Sequence, residues 1–173
     1  MGSKLENILI IGIGGVGMHL ARRLVHEGAS VTVIETDPKL VQEATETMDA
    51  RVLKGNSMSL SSWRAAEAES MELMIAATND DATNMLSALI ADRFGIERKI
   101  VRVRSLDFEP GSVLPPEELK IDLMVHPEEL LAQEIYRLVK RAACNDLIDI
   151  GNGWMQVCLL YTSDAADDTC GVG

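Results

Sequence analysis

The sequence contains few aromatic residues: two Trp, two Tyr and two Phe make up 3% of its 173 residues. A hydrophobic core must therefore be built mainly from aliphatic side chains, which bring the hydrophobic fraction to 47%. Aliphatic cores are typical of parallel β-sheets that are buried on both faces. The length is sufficient for one domain with a core of its own.

Basic residues are also scarce, with 16 Lys and Arg against 27 Asp and Glu and a formal net charge of -11. Nucleic-acid backbones and anionic lipid surfaces both require basic protein surface. We therefore expect no nucleic-acid partner and no direct lipid insertion. A bound phosphate would have to be held by local features such as backbone amides.

Cysteine is rare, and the three cysteines, Cys144, Cys158 and Cys170, form no CxxC pair. This pattern indicates neither a disulfide framework nor a zinc site. No histidine has a cysteine or carboxylate at metal-ligand spacing on the same helix face, so no metal site is predicted. Residues 1–7 lack the layout of a signal peptide, and residues 8–18, the longest apolar and glycine run, are too short to span a membrane. A cytoplasmic location is the expectation.

Strand-like and helix-like segments alternate along most of the chain. The alternation predicts right-handed crossovers and an α/β fold, a Rossmann-like doubly wound parallel sheet of about six strands. The predicted strands are residues 7–12, 30–35, 51–55, 71–78, 99–105 and 121–125. The predicted helices are residues 16–27, 38 to about 48, 59–68, 81–94 and 127 to about 141.

Two of these helices carry apolar stripes that we expect to face inward. The stripe of the 81–94 helix is Ala82, Met85, Leu86, Leu89 and Ile90. The stripe of the last helix is Leu131, Ile135 and Leu138. Asp37 precedes Pro38 and is predicted to be an N-cap, which is sufficient to explain it.

Three glycines near the N-terminus, Gly12, Gly14 and Gly17, have the spacing G-x-G-x-x-G between a predicted strand and a predicted helix. Gly12 permits a tight turn, Gly14 lets backbone approach a pyrophosphate, and Gly17 lets the helix pack close to the sheet. The helix start offers unpaired amides around Gly14, Gly15 and Val16, together with the positive end of the helix dipole. The motif therefore predicts a phosphate-binding loop.

An acid follows at the distance that this motif requires. Glu35 ends the second predicted strand, 18 residues after Gly17. A carboxylate there accepts hydrogen bonds from ribose hydroxyls and repels a 2′-phosphate, which favours NAD(H) or an adenosine nucleotide over NADP(H). The alternative is that Glu35 is a solvated strand end. Asn56, after the third strand, would border the adenine or simply occupy a turn.

More polar residues are predicted at the same edge of the sheet. Thr78 and Asn79 follow the fourth strand and could contact a ribose or phosphate, although Thr78 with Asp81 also resembles a capping box. Arg102 and Arg104 share one face of the fifth strand, where a charge needs either a carboxylate or a phosphate. Arg102 is the better phosphate candidate.

Several segments together resemble a known family. "ILIIGIGGVGMHLARRL", "VTVIETDP", "RVLKGNS", "MIAATNDDATNMLSALIAD", "IVRVRS" and "IDLMVHPEELLAQEIYRL" are similar to the TrkA-N domain, also called the KTN or RCK N-domain, over residues 5–145. The resemblance implies a nucleotide-sensing, non-enzymatic regulatory subunit with NAD(H) as the first candidate ligand and ADP or ATP as the second. It also implies a homodimer or larger ring that acts on a membrane-embedded Trk or Ktr potassium transporter subunit.

The same resemblance assigns the nucleotide contacts to the glycine loop from Gly12 to Gly17, Glu35, Thr78 with Asn79, and Arg102. Some relatives carry an arginine in the loop that reaches a γ-phosphate, whereas this chain has Gly15 and Val16 there. No catalytic residue is expected. The rival interpretation is an NAD-dependent oxidoreductase of small substrates, for which the 29 residues after position 144 would have to supply a substrate domain.

The alternation stops near residue 145. Residues 146–160 are predicted to be a linker or the start of a truncated C-terminal domain, with one or two strands. Residues 161–173 contain three acids and no base, and they are expected to be a non-native or disordered tail.

Overall fold

The computed structural model describes residues 7–143, 146–150 and 155–159. Six parallel strands form one sheet in the order β3-β2-β1-β4-β5-β6, with helices in the connections, which confirms the Rossmann-like prediction. The strand order reverses between β1 and β4, the place where such sheets open a ligand crevice. The strands are β1 Asn7–Ile11, β2 Ser30–Glu35, β3 Arg51–Lys54, β4 Leu73–Ala76, β5 Arg98–Arg102 and β6 Leu123–Val125.

Five α-helices follow the predicted order. They are α1 Gly15–His26, α2 Pro38–Thr47, α3 Leu60–Ala65, α4 Asp81–Arg93 and α5 Pro127–Ala143. The predicted 59–68 helix is shorter, because Glu67 adopts a left-handed conformation (φ 55°) and a 3-10 turn, Ala68–Ser70, follows it. Asp37 caps α2 as predicted, since its carboxylate accepts a hydrogen bond from the Lys39 amide at 2.8 Å.

The core lies on both faces of the two central strands. Alternate residues of β1 point to opposite faces, so that Leu9 and Ile11 join one cluster and Ile8 and Ile10 join the other. All four are at most 1% exposed. The largest fully buried side chain is Trp63, which stacks on Phe94 with ring centroids 5.8 Å apart.

The predicted apolar stripe of α4 is confirmed only in part: Met85, Leu89 and Ile90 are partly buried and pack against the core. Leu86 is 45% exposed, and Ala82 is exposed as well. The residues that the helix buries completely are small or polar: Asn84, Ser87, Ala88 and Ala91. Small side chains allow the helix to approach the sheet closely, so the largest apolar residues are displaced to the flanks of the contact.

The alternative in which Thr78 and Asp81 form a capping box is not what the structure shows. Asp80 is the N-cap of α4, and its carboxylate accepts a hydrogen bond from the Thr83 amide at 2.6 Å. The Asp81 carboxylate instead accepts hydrogen bonds from the backbone amides of Arg104 and Ser105. The Asp81 side chain therefore links the start of α4 to the segment that follows β5 through hydrogen bonds.

The chain divides into two compact units between Pro127 and Glu128. In the second unit, β7 Asp146–Ile150 and β8 Met155–Leu159 pair antiparallel, so the segment predicted to hold one or two strands holds two. The domain bounds 5–145 remain a prediction. The tail predicted for residues 161–173 lies outside the described residues.

The apolar stripe of α5 is exposed, contrary to the expectation that it faces inward. Leu131, Ile135 and Leu138 are 61%, 52% and 54% exposed. Helical periodicity identifies an apolar face but does not specify what covers it. Within the described residues, no helix is long and apolar enough to cross a membrane.

Candidate functional site

A cleft of about 340 Å³ opens where the strand order reverses, at the carboxyl ends of β1 to β4. Four sequence-predicted residues lie in its wall: Gly12, Glu35, Thr78 and Asn79. Asn56 lines it too. The remaining wall consists of Ile11, Ile34, Thr36, Gly55, Ser57, Asp80 and Thr83.

The glycines of the loop fall into two groups. Gly12 has φ +82°, and a Cβ built there would lie 2.6 Å from Cγ2 of Thr78. A Cβ at Gly17 would overlap the carbonyl oxygen of Gly12. At Gly14 and Gly15, in contrast, a Cβ would meet nothing within 4 Å. The first pair is required by packing within the chain, whereas the second pair borders open space.

The open glycines lie at the start of α1. Gly14 is the N-cap residue, and its carbonyl accepts a hydrogen bond from the Met18 amide at 2.9 Å. The first-turn amides of Gly15, Val16 and Gly17 have no carbonyl partner inside the helix. No acidic side chain lies in this turn, so the positive end of the dipole is not offset by a carboxylate on the helix itself. This geometry suits an anion.

Glu35 is buried, with 8% exposure, and is not a solvated strand end. Its Oε2 accepts a hydrogen bond from the Ile13 amide at 2.8 Å. Its Oε1 accepts from the amides of Thr36 and Asp37 at 2.6 and 2.9 Å. The carboxylate thus ties the glycine loop to the end of β2. An ionised carboxylate has about four acceptor positions, so Oε2 retains capacity for one further donor.

The wall formed by Thr78 and Asn79 is held by two arginines, one at the end of β5 and one just after it. Arg102 Nη1 donates to the Thr78 carbonyl at 3.1 Å and to Oδ1 of Asn79 at 3.0 Å. Arg104 Nη2 donates to the Asn79 carbonyl at 2.6 Å. Arg102 therefore contacts two wall residues but is not itself part of the wall. Arg102 thus lies beside the predicted site, and its guanidinium group donates hydrogen bonds to acceptors of the protein there.

Asn84 is not among the residues predicted from the sequence. In the structure its side chain is fully buried and lies next to the cleft. Its carboxamide makes four hydrogen bonds, three to Thr78 and one to the Arg102 carbonyl. A signal was present, because Asn84 shares the helical face of Ala88 and Ala91. A polar residue on a face of small side chains indicates a specific buried partner.

Asp80 adds an exposed carboxylate at the rim. Hydrogen bonds from the side chain and backbone of Thr83 hold the pKa of Asp80 below its usual range. Among the described residues, no cluster of three or more His, Cys, Asp or Glu side chains could hold a metal ion. The site therefore offers backbone amides at one end and hydrogen-bond acceptors in its wall.

Residues 8–127 match the family model of the TrkA-N domain. The chain belongs to the TrkA-N domain family. It is 32% identical over 146 residues to a Trk system potassium uptake protein TrkA homolog of Methanothermobacter thermautotrophicus, covering 84% of this chain and 66% of that protein. It is 30% identical over 152 residues to the Trk system potassium uptake protein TrkA of Halomonas elongata, covering 87% of this chain and 33% of that protein. The TrkA-N chain thus spans about one to two thirds of these relatives.

Solved structures share the fold at lower sequence identity. The TrkA-N domain of the inner membrane protein ybaL from Escherichia coli matches with a TM-score of 0.67 and 21% identity, over 80% of this chain and 99% of that one. GsuK bound to ADP matches with a TM-score of 0.64 and 22% identity, over 79% and 34% of the two chains. The GsuK channel bound to NAD matches with a TM-score of 0.65 and 20% identity, over 87% and 26%.

Proposed function

We propose that this TrkA-N domain binds NAD(H), or alternatively ADP or ATP, in the cleft and acts as a regulatory subunit of a membrane potassium transporter or channel. The observation that carries the proposal is the open space at Gly14 and Gly15, which borders the first-turn amides of α1. The preceding residue, Ile13, donates its backbone amide to the buried carboxylate of Glu35. The relatives named as Trk potassium uptake proteins support the regulatory role.

The proposed ligand contacts follow from the chemistry of each part of the cleft. The phosphates bind to the amides of Gly14, Gly15 and Val16, with Gly12 and Gly17 shaping the loop. Glu35 accepts a hydrogen bond from a ribose hydroxyl. Thr78 and Asn79 contact the nucleotide from the opposite wall. Arg102 holds that wall in place, and its charge lowers the cost of bringing phosphates near the acidic residues of the site.

Calorimetric titration of NADH, ADP and ATP tests the binding step. Gly14→Val places a branched side chain in the open space, so we expect at least a tenfold loss of affinity, about 1.4 kcal/mol. Stability should change little, because a Cβ at Gly14 has no clash. Ala65→Val, at an exposed position of α3 outside the cleft wall, is the matched control. Equal affinity of Gly14→Val and the wild type would refute the phosphate-binding loop.

The regulatory role is tested in cells that lack the gene for this chain. We expect potassium uptake to change on complementation with the wild type but not with Gly14→Val. Uptake that does not depend on the chain would refute the role. An assay of the purified proteins decides the rival oxidoreductase function. Sustained NADH consumption with a 2-oxo acid or aldehyde, abolished by Gly14→Val, would show catalysis.

We further propose that the subunit acts at the cytoplasmic face of the membrane and assembles as a homodimer or larger ring. Support for assembly comes from α5, where six large apolar side chains are 52–61% exposed: Leu130, Leu131, Ile135, Tyr136, Leu138 and Val139. Apolar exposure of this density marks interaction surfaces. Sedimentation of the wild type should show a dimer or larger species, which Leu131→Glu with Ile135→Glu should dissociate. A monomeric wild type would contradict this proposal.

A further inference from the structure

We propose that Asn84 is a positioning residue of the nucleotide cleft, which fixes Thr78 as a hydrogen-bond acceptor for a ribose hydroxyl. This inference rests on the proposed nucleotide binding. Asn84 is 0% exposed and does not line the cleft, so it acts through Thr78.

The carboxamide of Asn84 uses all of its hydrogen-bonding capacity. Oδ1 accepts from the Thr78 amide at 3.0 Å and from the Thr78 hydroxyl at 2.6 Å. Nδ2 donates to the Thr78 carbonyl at 3.0 Å and to the Arg102 carbonyl at 2.9 Å. Two acceptor and two donor positions are the full inventory of an asparagine side chain. Reversing the amide would place donors against donors and acceptors against acceptors, so one orientation is strongly favoured.

This network determines what Thr78 can offer a ligand. A threonine hydroxyl has one hydrogen, and the 2.6 Å contact commits it to Oδ1 of Asn84 in preference to the 3.2 Å contact with the Asp80 carbonyl. The Asp80 amide donates to the same hydroxyl oxygen at 3.2 Å and occupies one of its two acceptor positions. Thr78 therefore presents a single acceptor position. It suits a ribose hydroxyl, which can donate, and not an ionised phosphate, which can only accept.

The position of Thr78 also affects the glycine loop. Its backbone and methyl group pack on Gly12, since a Cβ built at Gly12 would lie 2.6 Å from Cγ2 and 3.1 Å from Cα of Thr78. Asn84 thus connects α4 to the ends of β4 and β5, and through Thr78 to the turn before the phosphate-binding amides. A substitution of Asn84 is therefore expected to shift residues on both walls of the cleft.

The test is the pH dependence of NAD⁺ binding by Asn84→Asp, measured by calorimetry. An ionised carboxylate keeps the size of the amide but cannot donate to the carbonyls of Thr78 and Arg102. Burial next to two carbonyl oxygens raises the pKa of the new carboxyl group, and on protonation it regains one donor. We expect about tenfold weaker binding than wild type near pH 8 and recovery to within about threefold near pH 5.5. Wild-type affinity should be nearly constant, because the charge of NAD⁺ does not change over this range.

Ser87→Ala is the matched control on the same helix face, since Ser87 is also fully buried and its hydroxyl donates to the Thr83 carbonyl at 2.7 Å. It should leave NAD⁺ affinity unchanged at both pH values. No NAD⁺ or ADP binding by the wild type would refute the proposed function itself. Wild-type binding together with an Asn84→Asp variant that matches it at both pH values, or is equally weak at both, would overturn the positioning role alone.

Thr78→Val keeps the test decisive if Asn84→Asp does not fold. The substitution removes the hydroxyl but preserves the shape of the side chain and its packing on Gly12. We expect about fivefold weaker binding of ADP and a smaller difference in affinity between ADP and 2′- or 3′-deoxy-ADP than in the wild type. Unchanged ADP affinity, or an unchanged preference for ADP over both deoxy analogues, would overturn the assignment of Thr78 as a ribose acceptor.

Discussion

The two groups of glycines in the loop should differ greatly in how much stability they lose on the smallest possible substitution. Gly17→Ala adds a methyl group that overlaps the carbonyl oxygen of Gly12, a backbone atom that cannot rotate away. Gly14→Ala adds the same methyl group where nothing lies within 4 Å. Gly14 has a negative φ (φ -57°, ψ -169°), so alanine there does not have to adopt the left-handed conformation that favours glycine.

The expected free energies differ accordingly. To accommodate Gly17→Ala, α1 must move away from the turn that follows β1, and overpacking of this kind costs typically 1–3 kcal/mol, with about 3 expected here because the clash is with backbone. For a chain of this size, that loss lowers the melting temperature by roughly 6–12 °C. Gly14→Ala replaces an acceptable N-cap residue by a poor one and should cost less than about 1 kcal/mol.

Urea unfolding of the two variants and the wild type, followed by far-UV circular dichroism, measures this difference directly. The midpoint should fall clearly for Gly17→Ala and hardly at all for Gly14→Ala, with similar slopes for all three proteins. Equal stability of Gly17→Ala and wild type would refute the close approach of α1 to Gly12. A loss at Gly14→Ala as large as at Gly17→Ala would refute the division of the loop into packing and open positions.

Three further predictions concern residues around the cleft. Glu35→Gln should reduce the preference for NAD⁺ over NADP⁺ by about tenfold, since a charge pair a few ångströms apart near a protein surface interacts by more than 1.4 kcal/mol; an unchanged ratio in calorimetry would remove Glu35 from the ribose site. Trp63→Phe should cost about 2–3 kcal/mol in urea unfolding, because it leaves a cavity and takes the indole donor from the Ser57 carbonyl, now bonded at 2.7 Å. The carboxylate of Asp80 is stabilised in the folded state, where its pKa is lowered, so its contribution to stability is present above about pH 4 and is lost as the pH falls. The stability difference between wild type and Asp80→Asn should therefore shrink on acidification through this range, and a difference that grows would contradict the assignment.

Local patterns were enough to predict the order of strands and helices, the parallel sheet and the glycine loop. The run Ile8–Ile11 predicts a buried strand, and Gly12 predicts the turn that follows it. Such predictions succeed because strand burial, tight turns and helix starts each depend on a few adjacent side chains. Asp37 was identified as an N-cap for the same reason. The family resemblance was likewise carried by contiguous motifs, and the match over residues 8–127 confirms it.

The contacts between distant segments could not be predicted in this way. The Glu35 carboxylate bonds to Ile13, 22 residues earlier, and the Asn84 amide bonds to Arg102, 18 residues later. Tertiary packing also decided how deeply each residue of α4 is buried. The small Ala88 and Ala91 are fully buried, whereas the larger Met85, Leu89 and Ile90 are only partly buried against the core. Periodicity ranks faces by hydrophobicity, whereas close packing decides how deeply each side chain is buried, and only the folded chain brings the partners of a buried polar group within hydrogen-bonding distance.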